Sequence, residues 1–250
     1  MMHENRLTQA KSSIYPAVLA LLLSWPAAAW TDETATVAPP EAPSLGQIQL
    51  DREMGQFSVP GRFLERGPDQ GRDLLEYLAV KRNGYKAYEA VLELDTTATE
   101  FNLACILIGL DPDNATLPEY HFDPRPVQGD PVDIHVEWDA DGTLHRARAA
   151  ELILMNGKPV DDHGWVYTGS TFIEPGNIYL AEQSGTLIGF VHDADSIIEH
   201  RHGIALNAPQ APSVNRALMP PPQTPIRVII RNPAETAGQD DAAPSATLAD

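Results

Sequence analysis

The chain has 250 residues, 43% of them hydrophobic, and 35 Asp and Glu against 17 Lys and Arg give it a net charge of −18 at neutral pH. An acidic excess of that size repels phosphate backbones, whose binding needs Lys and Arg to displace condensed counterions, so nucleic acid is excluded as an expected partner; anionic membrane surfaces are disfavoured for the same reason. Cys105 is the single cysteine, so no intramolecular disulfide can form and stability has to come from packing.

Residues 1–29 read as an export signal. Arg6 and Lys11 supply a positive start, Ile14 to Trp25 is an apolar run of 12 residues, and Ala27, Ala28 and Ala29 are the small residues a signal peptidase needs. The run is shorter than the roughly 18–20 residues that span a bilayer, and no later stretch reaches that length. No membrane anchor is therefore expected after cleavage, and the destination reads as periplasmic or secreted. Residues 30–46, with Pro39, Pro40 and Pro43 among Thr, Ala and Glu, carry too little apolar surface to offset the entropy of ordering them and read as a flexible tether. Residues 47–232 are expected to form one domain, and 233–250, with Glu235, Asp240, Asp241 and Asp250 and no base, a disordered acidic tail.

Within the domain, Ile48 to Leu50 and Gln56 to Val59 predict two short strands around Gly55. Leu75 to Arg82 and Lys86 to Leu94 flank Asn83-Gly84, the signature of a β-hairpin. Thr97 with Glu100 three residues on is a capping box, and Gly109 offers a left-handed stop, so a helix is predicted over 97–109. Phe101, Ala104, Cys105 and Ile108 mark its buried stripe, widened by Leu103 and Leu107. A buried, inert thiol is the expectation for Cys105. Five prolines between Asp111 and Pro131 predict a long surface loop.

Val132, Ile134, Val136 and Trp138 alternate with Asp133, His135, Glu137 and Asp139, which predicts a half-exposed strand turned by Asp141-Gly142. In the returning strand Arg146 and Arg148 share a parity and face a solvated ladder of Asp133, His135 and Glu137. Leu152 to Met155, Trp165 to Phe172, Ile178 to Ala181, Thr186 to Val191 and Ile226 to Ile230 complete the strand set. The fold class expected is α+β: a mainly antiparallel sheet of hairpins with one principal helix packed on it.

From Leu75 to His202 the order of features resembles the bacterial YdjY-domain family of exported proteins. The residues that carry the resemblance are Leu75-Glu76-Tyr77-Leu78-Ala79-Val80, Tyr88-Glu89-Ala90-Val91-Leu92, Ile108-Gly109-Leu110, Trp165-Val166-Tyr167-Thr168-Gly169-Ser170, Tyr179-Leu180-Ala181 and Gly185-Thr186-Leu187-Ile188. The resemblance implies export and a shared fold but supplies no reaction and no catalytic residues. Some relatives carry a ferredoxin-like iron–sulfur label, and this chain departs from it, because a cluster needs about four thiolates and Cys105 stands alone.

The densest chemistry lies in His192-Asp193-Ala194-Asp195 and Glu199-His200-Arg201-His202. On an extended strand His200 and His202 point to one side, a spacing from which two imidazoles can converge on zinc, with His192, His121, Asp193 or Asp195 as further ligands. Glu199 or Asp195 would then be the general base, and the activity a zinc-dependent hydrolysis of an envelope substrate. Asp111-Pro112-Asp113-Asn114 and Asp161-Asp162-His163-Gly164 offer oxygen donors for calcium without matching the EF-hand spacing. Thr168-Gly169-Ser170 lacks the flanking glycines of a nucleophile elbow and reads as a tight bend. Two readings stand from the residues alone. The first is a non-enzymatic exported module of the cell envelope, without a cofactor, that binds or scaffolds a protein or glycan; the alternative is the zinc-dependent hydrolase.

Overall fold

The last long strand of the chain, not an early hairpin, is the axis of the sheet. A computed structural model of the protein describes residues 44–64, 75–204 and 212–234, all within one unit, Glu41–Asp250. The export signal at 1–29, the tether up to residue 43 and the acidic tail from residue 235 lie outside the described residues. Strands β1 (Ile48–Asp51) and β2 (Gln56–Phe63) alternate as their side chains predict, with Ile48, Leu50, Phe57, Val59 and Phe63 inward. Five further elements follow: β3 (Tyr77–Lys81), β4 (Ala90–Leu94), helix α1 (Ala98–Leu107) and, after a long connection, the hairpin β5 (Asp133–Ala140) and β6 (Thr143–Arg148). The chain then forms β7 (Trp165–Tyr167), the short helix α2 (Leu180–Ser184), β8 (Thr186–Gly189), β9 (Ile198–His200) and β10 (Pro225–Arg231).

These strands make one mainly antiparallel sheet in the order β7-β9-β8-β3-β4-β2-β10-β5-β6, with β1 on β2 and the two-residue strand Asp130–Pro131 beside β7. β10 pairs along its length with β2 on one side and β5 on the other, setting Val228 opposite Val59 and Val136. Ile230 falls between Phe57 and Ile134 in the same way. α1 covers this layer, with Phe101 edge-on to Phe57 at 5.3 Å and Phe63 edge-on to Trp138 at 5.8 Å. Gly61 is required where β2 crosses β4, since a Cβ there would fall 2.3 Å from the Glu93 carbonyl oxygen.

The α+β class, the capping box of Thr97 and Glu100 and the left-handed Gly109 are as the sequence predicts. Cys105 is fully buried, and burial pushes its thiol up. Leu103, assigned to the buried stripe, is instead exposed.

The hairpin predicted at Asn83-Gly84 does not form. Asn83 takes a positive φ, but Gly84 is extended (φ −61°), and Tyr85–Glu89 coils into a 3-10 turn that carries the chain back before β4 starts. Ala90 therefore lies beside Tyr77, and β3 and β4 run parallel. The burial of both is nearly continuous, as for a parallel pair covered on both faces. Three other boundaries differ. The predicted strand 165–172 stops at Tyr167, because Gly169 (φ 78°) and Ser170 (φ 61°) bend it. The predicted strand 178–181 ends at Tyr179, where α2 begins. The proline-rich stretch 111–131 is not confined to the surface, since Asp123 and Val127 are buried within it.

Candidate functional site

The crossover between β3 and β4 gathers most of the chemistry. In a 3-10 turn residues three apart eclipse one another, so in Tyr85–Glu89 Tyr85 aligns with Tyr88 and Lys86 with Glu89. The tyrosines face solvent, 63% and 55% exposed, while the Lys86 side chain is turned in. The Lys86 ammonium donates to the Tyr77 hydroxyl and to Asp193 Oδ2, both at 2.7 Å, lies 3.5 Å from Asp195 Oδ2, and sits 4.6 Å from the centre of the Tyr77 ring. The Tyr77 hydroxyl in turn donates to Asp193 Oδ2 at 2.5 Å.

Burial alone would neutralise these groups. For Lys86 it lowers the pKa, but Asp193 more than offsets it and holds the ammonium charged. For Asp193 burial raises it, and Lys86 and Tyr77 more than offset that. The Tyr77 phenol is pushed up by burial and then by Asp193, and Asp195 is raised by burial and by Asp193.

A second arm joins at Glu76. Its backbone amide donates to the Glu89 carbonyl and its carbonyl accepts from Phe190, so β3, β4 and the end of β8 meet here. The Glu76 and Glu89 carboxyls are close enough to shift each other. Burial raises both, but His121 and Glu89 bring Glu76 below the ordinary carboxylate value, whereas Glu89 stays above it. His121 Nε2 lies 3.1 Å from Glu76 Oε2, which raises the imidazole, and its ring stacks on Phe122 at 4.2 Å. Phe122 and its neighbour Tyr120 are 40% and 56% exposed.

Several of the residues named from sequence prove to be struts for this patch. His192 is fully buried, with Nδ1 2.5 Å from the Asp123 carbonyl oxygen and Nε2 3.0 Å from that of His200. Together with the Phe122 amide donating to the His192 carbonyl, it ties the loop bearing His121 to the end of β9. Asp123 accepts from Arg125 and from the Glu119 amide, which closes the loop on itself. Thr168 and Ser170 donate to the carbonyls of Ser196 and Ala194 and so fix the Asp193–Asp195 turn, a positioning role and no sign of a nucleophile. Glu199 is fully buried beneath that turn. Its Oε1 accepts from the Asp193 amide, its Oε2 has no partner among the described residues, and burial holds its carboxyl well above the usual range.

His200 and His202 do not share a strand face. β9 ends at His200, whose carbonyl accepts from the Gly203 amide to close a turn, and His202 is exposed on that turn. The His200 ring packs edge-on to Trp165 and lies 3.3 Å from the Asp161 carbonyl, and burial lowers its pKa. Gly164 makes room for it, since a Cβ there would lie 2.1 Å from Nε2. Among the described residues no three His, Cys, Asp or Glu side chains are grouped as a metal ion requires. In the two calcium-like segments the oxygens are engaged locally: Asp111 and Asp161 cap 3-10 turns, and Asp162 pairs with Arg148. Of the sequence candidates, then, His121, Asp193 and Asp195 reach the patch, Glu199 underlies it, His192 buttresses it, and His200 and His202 lie apart from one another.

Sequence reasoning missed Glu76, Tyr77, Lys86, Tyr88 and Glu89 because it placed them on hairpin strands. The available signal was the three-residue repeat Tyr85-Lys86-Ala87-Tyr88-Glu89, which suits a 3-10 turn and breaks a strand's alternation. Elsewhere, a cavity of about 580 Å³ opens beside Lys81, Arg82, Asp95 and Thr97, but its charges are already paired, Arg82 with Asp95 and Lys81 with Glu182. The patch holds its lysine charged and its phenol protonated, so neither is a ready nucleophile; its exposed lip offers aromatic faces with hydrogen-bond donors and acceptors in alternation, an arrangement suited to binding.

Comparison with protein families matches residues 49–231 to a family model described as the YdjY domain, a span that contains every residue of the patch. No curated protein and no solved structure matches the chain. Among the described residues no helix is long and apolar enough to cross a membrane.

Proposed function

The chain belongs to the YdjY-domain family, and from that premise we propose that it is an exported, non-enzymatic binding module of the cell envelope, which engages its partner through the patch of Tyr85, Tyr88, His121 and Phe122. The observation that carries this reading is the exposure of four aromatic rings, Tyr85, Tyr88, Tyr120 and Phe122, on the two segments that supply Lys86, Glu89 and His121. Water-facing rings beside buried, fixed polar groups are costly to keep without a ligand and typical of contact surfaces. Export is supported by the leader at 1–29. The zinc-dependent hydrolase finds no support in the geometry, since Glu199 is sealed from solvent and His200 and His202 diverge.

Two measurements test the proposal. Mass spectrometry of the protein recovered from its host is expected to show cleavage after Ala29; an intact leader on intracellular protein would defeat the export half. Retention of the protein on isolated envelope fractions is expected to fall about tenfold in the Tyr88→Ala, Phe122→Ala double variant, the loss that two ring contacts represent. Equal retention of both forms would show that the patch is not the contact surface.

A further inference from the structure

The composition of the patch points to a class of ligand, an inference that rests on the binding reading above and narrows it. We infer that the patch takes a neutral, hydroxyl-rich glycan, with sugar rings stacked on Tyr88 and Phe122 and sugar hydroxyls bonding to His121, Glu76 and Asp195.

Three features of the lip favour this over a basic protein segment. First, the carboxylates there already have partners. Lys86 serves Asp193 and Asp195, and His121 serves Glu76. An incoming Lys or Arg would have to compete with these cations for the same carboxylates, whereas a sugar hydroxyl needs only one of the lone pairs they leave over. Second, donors and acceptors are interleaved: the His121 imidazole stands beside Glu76, and the Lys86 ammonium between Asp193 and Asp195. A sugar hydroxyl donates once and accepts twice, and that pattern satisfies it without any charge on the ligand. Third, the rings are exposed yet anchored. Phe122 is held by its contact with the His121 ring and by its amide bond to the His192 carbonyl, and Tyr88 sits on the 3-10 turn that Lys86 fastens to Asp193. An aromatic face is electron-rich, the C–H face of a pyranose is weakly electropositive, and an anchored ring loses little entropy on stacking.

The experiment is saturation-transfer NMR and titration calorimetry on the full chain with cellotriose, maltotriose and N-acetylated chitotriose, and with tetralysine as the cationic comparison. The expected result is binding of at least one neutral trisaccharide, weakened about tenfold in Tyr88→Ala, Phe122→Ala. Leu144→Ala, at a 68% exposed position on the β5–β6 hairpin, is expected to leave binding unchanged. Matching melting temperatures for the three proteins exclude misfolding as the cause. Binding of tetralysine with no response to any sugar would overturn the glycan inference, as would sugar binding that the double variant does not weaken, or no response to any probe. Envelope retention separates this from the broader proposal: retention that depends on Tyr88 and Phe122, in a protein that binds none of the sugars, leaves the binding module standing and removes only its ligand.

Discussion

Glu199 is a carboxyl that no water reaches, and its protonation dominates what this residue does to stability. Its folded pKa is raised above the unfolded value of about 4.3, so below that pH both states are protonated and the residue costs nothing. As pH rises further only the unfolded chain ionises, and stability falls by about 1.4 kcal/mol per pH unit until the folded pKa is reached. Glu199→Gln keeps an oxygen for the Asp193 amide and removes the titration. The variant is therefore expected to match the native protein near pH 4 and to exceed it at pH 7, read as the difference between two urea-denaturation series; parallel series would mean that Glu199 is ionised in the fold. Asp193 titrates in the opposite sense. Its folded pKa is lowered, so its stabilisation is present above about 3.9 and lost as the pH falls through the folded value, in both proteins alike. Residue-scale reading of the sequence found the right neighbourhood and the wrong geometry. Asp193, Asp195 and Glu199 do cluster, but the Gly203 turn ends β9 before His202. Lys86 was invisible as their partner, because its ion pairs join positions 107 and 109 residues apart.

At the scale of elements, the chain shows which signals are local. The cap of α1 is written in four consecutive residues, Thr97 to Glu100, and forms as read: Thr97 Oγ1 accepts from the Glu100 amide at 3.1 Å, and Glu100 Oε2 accepts from the Thr97 amide at 3.1 Å. A second cap comes from outside. Glu182 on α2 accepts from the Thr99 amide at 2.9 Å and from its hydroxyl at 3.0 Å, and the same side chain pairs with Lys81 at the end of β3. α1 is thereby fixed to both its neighbours at its positive end. Thr97→Ala is expected to cost about 1 kcal/mol, seen as a lower urea midpoint at unchanged slope. A loss of only a few tenths of a kcal/mol would show that Glu182 suffices as the cap. The β3–β4 connection failed as a reading for the complementary reason. Asn-Gly favours a tight turn, but the outcome was decided by the burial of β3 and β4 on both faces, a property of the side chains packed above and below the sheet that no dipeptide encodes.

Over the whole molecule the sheet depends on its last strand. The sequence identifies Ile226 to Ile230 as a strand and the class as antiparallel α+β, yet it gives no sign that β10 lies between β2 and β5. Its partners start about 170 and 90 residues earlier, and strand order across such separations is set by which hydrophobic faces fit, not by local pattern. Without β10, both β2 and β5 become open edges and Phe57, Val59, Ile134 and Val136 lose the neighbours that cover them. Ile226, Val228 and Ile230 are buried, and at about 1.5–3 kcal/mol each their burial amounts to about 5–9 kcal/mol, of the order of the whole stability of a domain. A chain ending at Thr224 is therefore expected to show no cooperative urea transition, whereas one ending at Ala234 retains it. If the shorter chain still unfolds in a single sharp step, β2 and β5 must be able to close on each other, and the central place given to β10 would be wrong.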